Sequence, residues 1–216
     1  MKEAGDAQID YQNAIHCTII SSDYSLTVDW NGVPATMDGI MGGFGEGKVP
    51  TVDVESSLQF LAKIKSLLPA NYRAADCGAG IGRVTRDVLL KVADVVDLIE
   101  PVEKFASEIK HCDSLAHARA QGRIGTVYEF GLQHWKPKGN LYGLIWCQWC
   151  IGHLKNDAFV DFLKLASTAL VPNGLIVVKE NVTEVDTFDS LDSSVTRSEQ
   201  SFKKIFQEAG LKILAQ

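Results

Sequence analysis

From Arg73 onward, short apolar runs alternate with helically periodic segments, and few architectures accommodate that alternation. The segments "RAAD" (73–76), "DVVDLIE" (94–100), "GTVYEFG" (125–131), "YGLIWCQ" (142–148) and "LIVVKEN" (175–181) read as strands. Helices are predicted over 82–92, 102–115, 157–170 and 199–210; "PNG" (172–174) stops the third and Gly210 closes the fourth. Parallel neighbours need crossover connections, so the expectation is an α/β protein with a mostly parallel sheet and helices on both faces. A further helix, Val54 to Leu68, precedes the first strand, and residues 1–52 read as irregular, with "MDGIMGGFGEGKVP" near their end. The expected organisation is an N-terminal extension with a glycine-rich lid over 1–52 and one domain over 53–216.

In such a sheet ligands bind beyond the carboxyl ends of the strands. Those ends read "DCGAGIGR", "EP", "GLQHW", "QWCIGH" and "KEN", and most carry polar or aromatic side chains that a connecting loop would not require. "DCGAGIGR" follows the first strand and opens a helix, with Gly78, Gly80 and Gly82 allowing a tight turn and close backbone approach to a ligand. Glu100 ends the next strand about 20 residues on, where a carboxylate can take both hydroxyls of a ribose. The loop spacing is G-x-G-x-G, which favours S-adenosylmethionine over NAD. Arg83, at the start of the helix, can bond a carboxylate such as the one on that cofactor's methionine part.

Two segments mimic other sites. "GGFGEGKV" (42–49) approaches a phosphate loop, but Val49 replaces the magnesium-binding hydroxyl and Glu46 puts negative charge in the cradle. It reads as a lid or a linker. Cys147 and Cys150 form a Cys-x-x-Cys with no second pair, so small buried thiols are expected and no metal. Five cysteines, an odd number mostly in apolar runs, suit a reducing compartment. The polar, acidic start "MKEAGDAQID" is no signal peptide, and no apolar run is long enough to span a membrane. A cytoplasmic or nuclear protein is expected. The formal net charge of −6 argues against non-specific nucleic-acid binding.

"MDGIMGGFG", "DCGAGIGR", "GLQHW", "IWCQWCIGHL", "LVPNGLIVVKEN" and "LDSSVTR", in this order from about Trp30 to the end, resemble the eukaryotic protein α-N-terminal methyltransferases. The family is S-adenosylmethionine-dependent, has the class I Rossmann-like fold with an N-terminal helical lid, and acts on protein N-termini beginning Xaa-Pro-Lys. The resemblance implies that Gly78 and Arg83, with Gly80 in the same loop, hold the cofactor, with Glu100 on the ribose. Leu132 and Gln133 would lie along the adenine and Gln148 against the methionine part. Asn181 and Asp192 would hold and deprotonate the amine, with His153 beside it. Trp30, Trp149, Asp189 and Ser194 would line the substrate groove. The chemistry is consistent with this: an α-amine with a pKa of roughly 7.7–8.0 needs little help to become neutral. A carboxylate and a histidine suffice as proton acceptors.

Two departures accompany the resemblance. "CTIISSDYSLTV" (17–28) lengthens a connection that is short in the family, and the chain ends at "LKILAQ" where the family continues into two more strands. Missing C-terminal strands and an exposed sheet edge are therefore expected. A monomer is favoured. The alternative readings are a methyltransferase for a small molecule or an RNA base, and a catalytically impaired paralogue that binds cofactor and peptide.

Overall fold

The computed structural model describes residues 30–190 and 193–216. Five parallel strands, β1 (Arg73–Cys77), β2 (Val95–Ile99), β3 (Ile124–Tyr128), β4 (Tyr142–Gln148) and β5 (Leu170–Lys179), form one sheet in the order β3-β2-β1-β4-β5. The order reverses at β1, so the chain leaves toward β2 on one side and returns at β4 on the other. Ligands of such sheets bind at this switch point.

The central strands bury both faces. Ile145 and Cys147 of β4 face one core with Trp135, Phe159, Phe162 and Phe202, whereas Leu144 and Trp146 face the other with Leu61, Val88, Leu98 and Ile109. The first core is closed by α6 (Asn156–Thr168), which presents Phe159, Phe162, Leu163 and Ala166 at helical spacing, and by α7 (Glu199–Glu208). The second is covered by α2 (Val49–Ile64), α3 (Arg83–Asp87) and α4 (Glu103–His111). Burial on both faces explains why these strands read as continuous apolar runs.

Boundaries differ from the expectations for local reasons. Helix α2 starts at Val49, before the predicted Val54, because Pro50 occupies its first turn, where a missing N–H costs nothing. It carries across the boundary expected between 52 and 53, and residues 37–40 form a short helix, α1 (Met37–Ile40), within the supposedly irregular extension. The helix predicted over 82–92 ends at Asp87 and continues as a 3₁₀ turn. The one over 102–115 breaks where Cys112 becomes extended, then resumes as α5 (Ala116–Ala120). In β5, Leu170 pairs with Tyr142 and Leu175 with Leu144, so "VPNG" bulges from the edge strand, with Asn173 left-handed.

An antiparallel hairpin of β6 (Thr187–Asp189) and β7 (Ser194–Thr196) had no counterpart in the predicted elements. Residues 211–216 form no strand; they run beside the free edge of β5, where Lys63 donates to the Gln216 carbonyl at 2.7 Å. Among the described residues no helix is long and apolar enough to cross a membrane.

Candidate active site

Gly78, Gly80 and Gly82 all adopt positive φ, at 68°, 55° and 81°. The need for glycine is sharpest at Gly78, where an added Cβ would stand 2.3 Å from the Cβ of Cys150. The N–H groups of Gly78 and Ala79 both donate to the Ile99 carbonyl, which fastens the loop across the ends of β1 and β2. Glu100 then accepts from the Gly80 N–H at 2.7 Å and the Val102 N–H at 2.8 Å. Only 4% of Glu100 is exposed. Burial pushes its carboxyl up to about 7, against the opposing pull of those two N–H donors. Beneath the loop, Asp76 takes the Thr85 hydroxyl at 2.6 Å and is itself pushed up to about 6 by burial.

Arg83 opens α3 and is 4% exposed. Its Nη1 donates to Asp53 of α2 at 2.6 Å, and its guanidinium lies 5.3 Å from the centroid of the Trp149 ring. Gln148 ends β4; its Nε2 meets both oxygens of Asp53 at 2.8 and 2.9 Å, while its Oε1 accepts from Trp146 Nε1 at 3.1 Å. Lys179, at the end of β5, places Nζ 2.5 Å from Asp53 Oδ1 and also donates to the hydroxyls of Ser56 and Ser57. Burial raises the carboxyl pKa of Asp53, but the charges of Arg83 and Lys179 outweigh it and hold it below the ordinary range. Lys179 is lowered as well, first by burial and also by Arg83, despite the pull of Asp53. The first direction follows from one carboxylate being shared between two cations, the second mainly from burial.

The stretch after β4 carries the aromatic side of the site. Trp149 has φ 52°, an uncommon left-handed conformation for a bulky residue, and its N–H donates to the Lys179 carbonyl. Its indole N–H is buried without an acceptor among the described residues. Glu180 holds the following turn by accepting from Cys150 and Ile151 N–H at 2.7 and 2.9 Å. The turn Ile151–His153 presents His153 to Trp30, whose ring stands edge-on at 5.8 Å and 88°. Behind it, fully buried Arg197 donates to the Leu154 carbonyl at 3.1 Å and to Asn156 at 2.7 Å, tying the hairpin to this turn. An added Cβ on Gly152 would lie 3.2 Å from Ser194 Cβ, and Ser194 pairs with Asp189 across the hairpin.

The predicted residues therefore sort by place. Gly78, Gly80, Glu100, Arg83 and Gln148 converge at the switch point. Leu132 is buried and Gln133 exposed on the 3₁₀ turn after β3. Trp30, Trp149, His153, Ser194 and Asp189 lie on the β4 turn, the hairpin and the start of the described chain. Asn181 is exposed just past β5. Asp192 lies outside the described residues. Asp53, Lys179, Glu180 and Arg197 were not singled out, although "KEN" and "LDSSVTR" contain three of them; Asp53 sits in a helix with no motif around it. Cys77 and Cys147 are fully buried, and Cys150 donates its thiol to the Cys77 carbonyl, as small structural thiols would. Ile40, just upstream of "GGFGEGKV", lies 3.7 Å from where a Gly80 Cβ would be, whereas a Cβ on Gly42, Gly43 or Gly47 would meet nothing within 4 Å.

The sequence profile of the family described as AdoMet dependent proline di-methyltransferase matches residues 21–216. The chain is 46% identical over 197 residues to the α N-terminal protein methyltransferase 1 of Schizosaccharomyces pombe, covering 89% of this chain and 87% of that protein. It is 41% identical over 192 residues to the N-terminal Xaa-Pro-Lys N-methyltransferase 1 of Xenopus tropicalis, covering 86% and 83%. A SAM-dependent methyltransferase from Leishmania major superposes with a TM-score of 0.77 at 38% identity, over 86% of this chain and 72% of that one.

Proposed function

Since the chain belongs to the AdoMet-dependent proline di-methyltransferase family and is an S-adenosylmethionine-dependent methyltransferase, we propose that it methylates the α-amine of protein N-termini beginning Xaa-Pro-Lys. The observation that best supports this is the adjacency, at the end of β4, of donors suited to a cofactor carboxylate (Arg83 and Gln148) and aromatic walls suited to a peptide (Trp149 and Trp30). The residues at the glycine loop suit the cofactor: each oxygen of the Glu100 carboxylate accepts one backbone N–H and keeps a lone pair for a ribose hydroxyl, and the loop backbone can approach closely because no Cβ intervenes.

S-adenosylmethionine, when bound, supplies an electrophilic methyl on a sulfonium. The protein's own task is to present a neutral amine and to take up its proton. Asn181 would orient the amine through its side-chain carbonyl. Asp192 would accept the proton, with His153 beside the amine, its ring packed against Trp30. Trp149 excludes water, and its unfilled N–H can meet a substrate carbonyl. Its face also suits the more cationic methylated product. Asp189, exposed on β6, offers a partner for a lysine at the third substrate position. A proline at the second position would pack against Trp149.

The test is a peptide panel with labelled cofactor. Methylation should require a free α-amine and fall when the proline or the lysine is replaced. Equal methylation of a peptide whose α-amine is acetylated and whose lysine is free would overturn the assignment.

A further inference from the structure

The cofactor seat contains a residue from an unexpected element. Asp53 belongs to α2, thirty residues before Arg83 and 95 before Gln148 in sequence, yet its carboxylate meets both. It is 6% exposed, which is costly for a charge unless partners compensate. Three side chains supply hydrogen bonds to it: Arg83, Gln148 and Lys179. Two of these three are the residues assigned above to the cofactor's methionine part.

The remaining valences are informative. A guanidinium has five N–H donors in a rigid fork. Arg83 uses one on Asp53 and makes no other hydrogen bond among the described residues, although it is nearly buried. Gln148 is fixed in one amide orientation, because Trp146 donates to its oxygen while Asp53 accepts from its nitrogen. Arg83 and Lys179 bring two positive charges to Asp53, and Arg83 also feels the buried carboxyl of Asp76. The N–H groups that Arg83 does not spend on Asp53 suit one further carboxylate.

We propose that Asp53 is a positioning residue for the cofactor: it aims Arg83 and Gln148 so that their remaining donors receive the carboxylate of the methionine part. This rests on the cofactor reading of Arg83 and Gln148 given above. It also makes α2, the helix that follows the glycine-rich lid, a direct contributor to the seat. A purely structural role, tying α2 to β5 through Lys179, Ser56 and Ser57, predicts a different pattern of loss.

Calorimetric titration with two ligands separates these. S-adenosylhomocysteine carries the amino-carboxylate tail; 5′-methylthioadenosine keeps the adenosine and sulfur but lacks the tail. Asp53→Asn should weaken S-adenosylhomocysteine about ten-fold or more, as expected for misaimed charge-assisted bonds, and leave 5′-methylthioadenosine within about two-fold of the parent. The double variant Asp53→Asn/Lys179→Gln keeps the net charge of the cluster and should show the same selective loss in a folded protein. Unchanged S-adenosylhomocysteine affinity, or equal losses for both ligands, would overturn the proposal. So would a gain in affinity, which would mean that Asp53 occupies the seat the cofactor needs. A parent protein that binds both ligands equally well would instead overturn the reading of Arg83 and Gln148, and the inference with it.

Discussion

The carboxylate of Glu180 accepts the backbone N–H of Cys150 at 2.7 Å, across the gap between the ends of β5 and β4. Together with the Ile151 N–H at 2.9 Å, this bond fixes the turn that carries Trp149 and His153. Glu180→Ala leaves two inward-facing N–H groups without their acceptor. At roughly 1–3 kcal/mol per orphaned group and about 2–4 °C per kcal/mol for a chain of this size, thermal unfolding should show a Tm lower by several degrees. Turnover should fall further than cofactor affinity, because the turn serves the substrate side. Unaltered Tm and turnover would show that the turn holds without Glu180.

Gly78→Ala and Gly42→Ala form a matched pair. Both glycines are left-handed, at φ 68° and 60°, so both substitutions strain the backbone by about 1 kcal/mol. Only at Gly78 does the new Cβ collide with another residue, 2.3 Å from Cys150 Cβ; at Gly42 it meets open space. Gly78→Ala should unfold at a clearly lower temperature and lose cofactor binding. Gly42→Ala should stay near the parent in both. Equal behaviour of the two would mean that the loop relaxes around the clash.

Glu100 links stability and binding to pH in opposite senses. Its folded pKa of about 7 lies above the ordinary value of 4.5. A raised carboxyl pKa adds stability that is fully present below the unfolded value and is lost as pH rises through the folded value. Ligand-free Tm should therefore decline between about pH 4.5 and 7, with Asp76, pushed up to about 6, adding to the decline. Cofactor affinity should do the reverse, since the ionised carboxylate accepts ribose hydroxyls best. Glu100→Gln should flatten both profiles. A cofactor affinity in the parent that stays constant from pH 6 to 8 would remove Glu100 from the ribose.

Asp192→Asn should lower turnover by on the order of 10²–10⁴-fold, the usual range for loss of a general base, while cofactor affinity measured by calorimetry stays near the parent's. His153→Ala should show a smaller loss. Parental turnover in Asp192→Asn at neutral pH would remove Asp192 from the role of base. Activity of the parent should rise with pH through the titration of the substrate α-amine, roughly 7.7–8.0.

Much of this architecture was readable residue by residue. The five strands, the glycine loop and the Glu100 carboxylate follow from local pattern: apolar runs buried on both faces, and a turn that only glycine can make. The pattern that marks Glu100 does not mark Asp53, which lies one residue before the helix predicted from Val54; only the folded chain shows that it continues the buried row of Ser57, Leu61 and Ile64. Its role depends on packing between segments 95 residues apart. The hairpin Thr187–Asp189 with Ser194–Thr196 was illegible for a different reason: each strand has three residues, too few to show an alternation. The split of the helix predicted over 102–115 turns on one extended residue, Cys112, whose side chain gives no warning of it.

The strand order has a consequence for how the chain comes off the ribosome. β1 pairs with β2 on one side as soon as residue 99 has emerged, and its other side waits for β4, which begins at Tyr142. Over that interval the strand Arg73–Cys77 has a bare edge, able to recruit strands from other nascent chains. The proposed cofactor seat divides at the same seam: Gly80 and Glu100 belong to the early half, Gln148 and Lys179 to the late one. A ligand that spans the seam binds only the joined halves, and by mass action it shifts the newborn protein toward them. Supply of cofactor during translation should then favour folding, and starving cells of methionine should raise the aggregated fraction of this protein before it touches the mature pool.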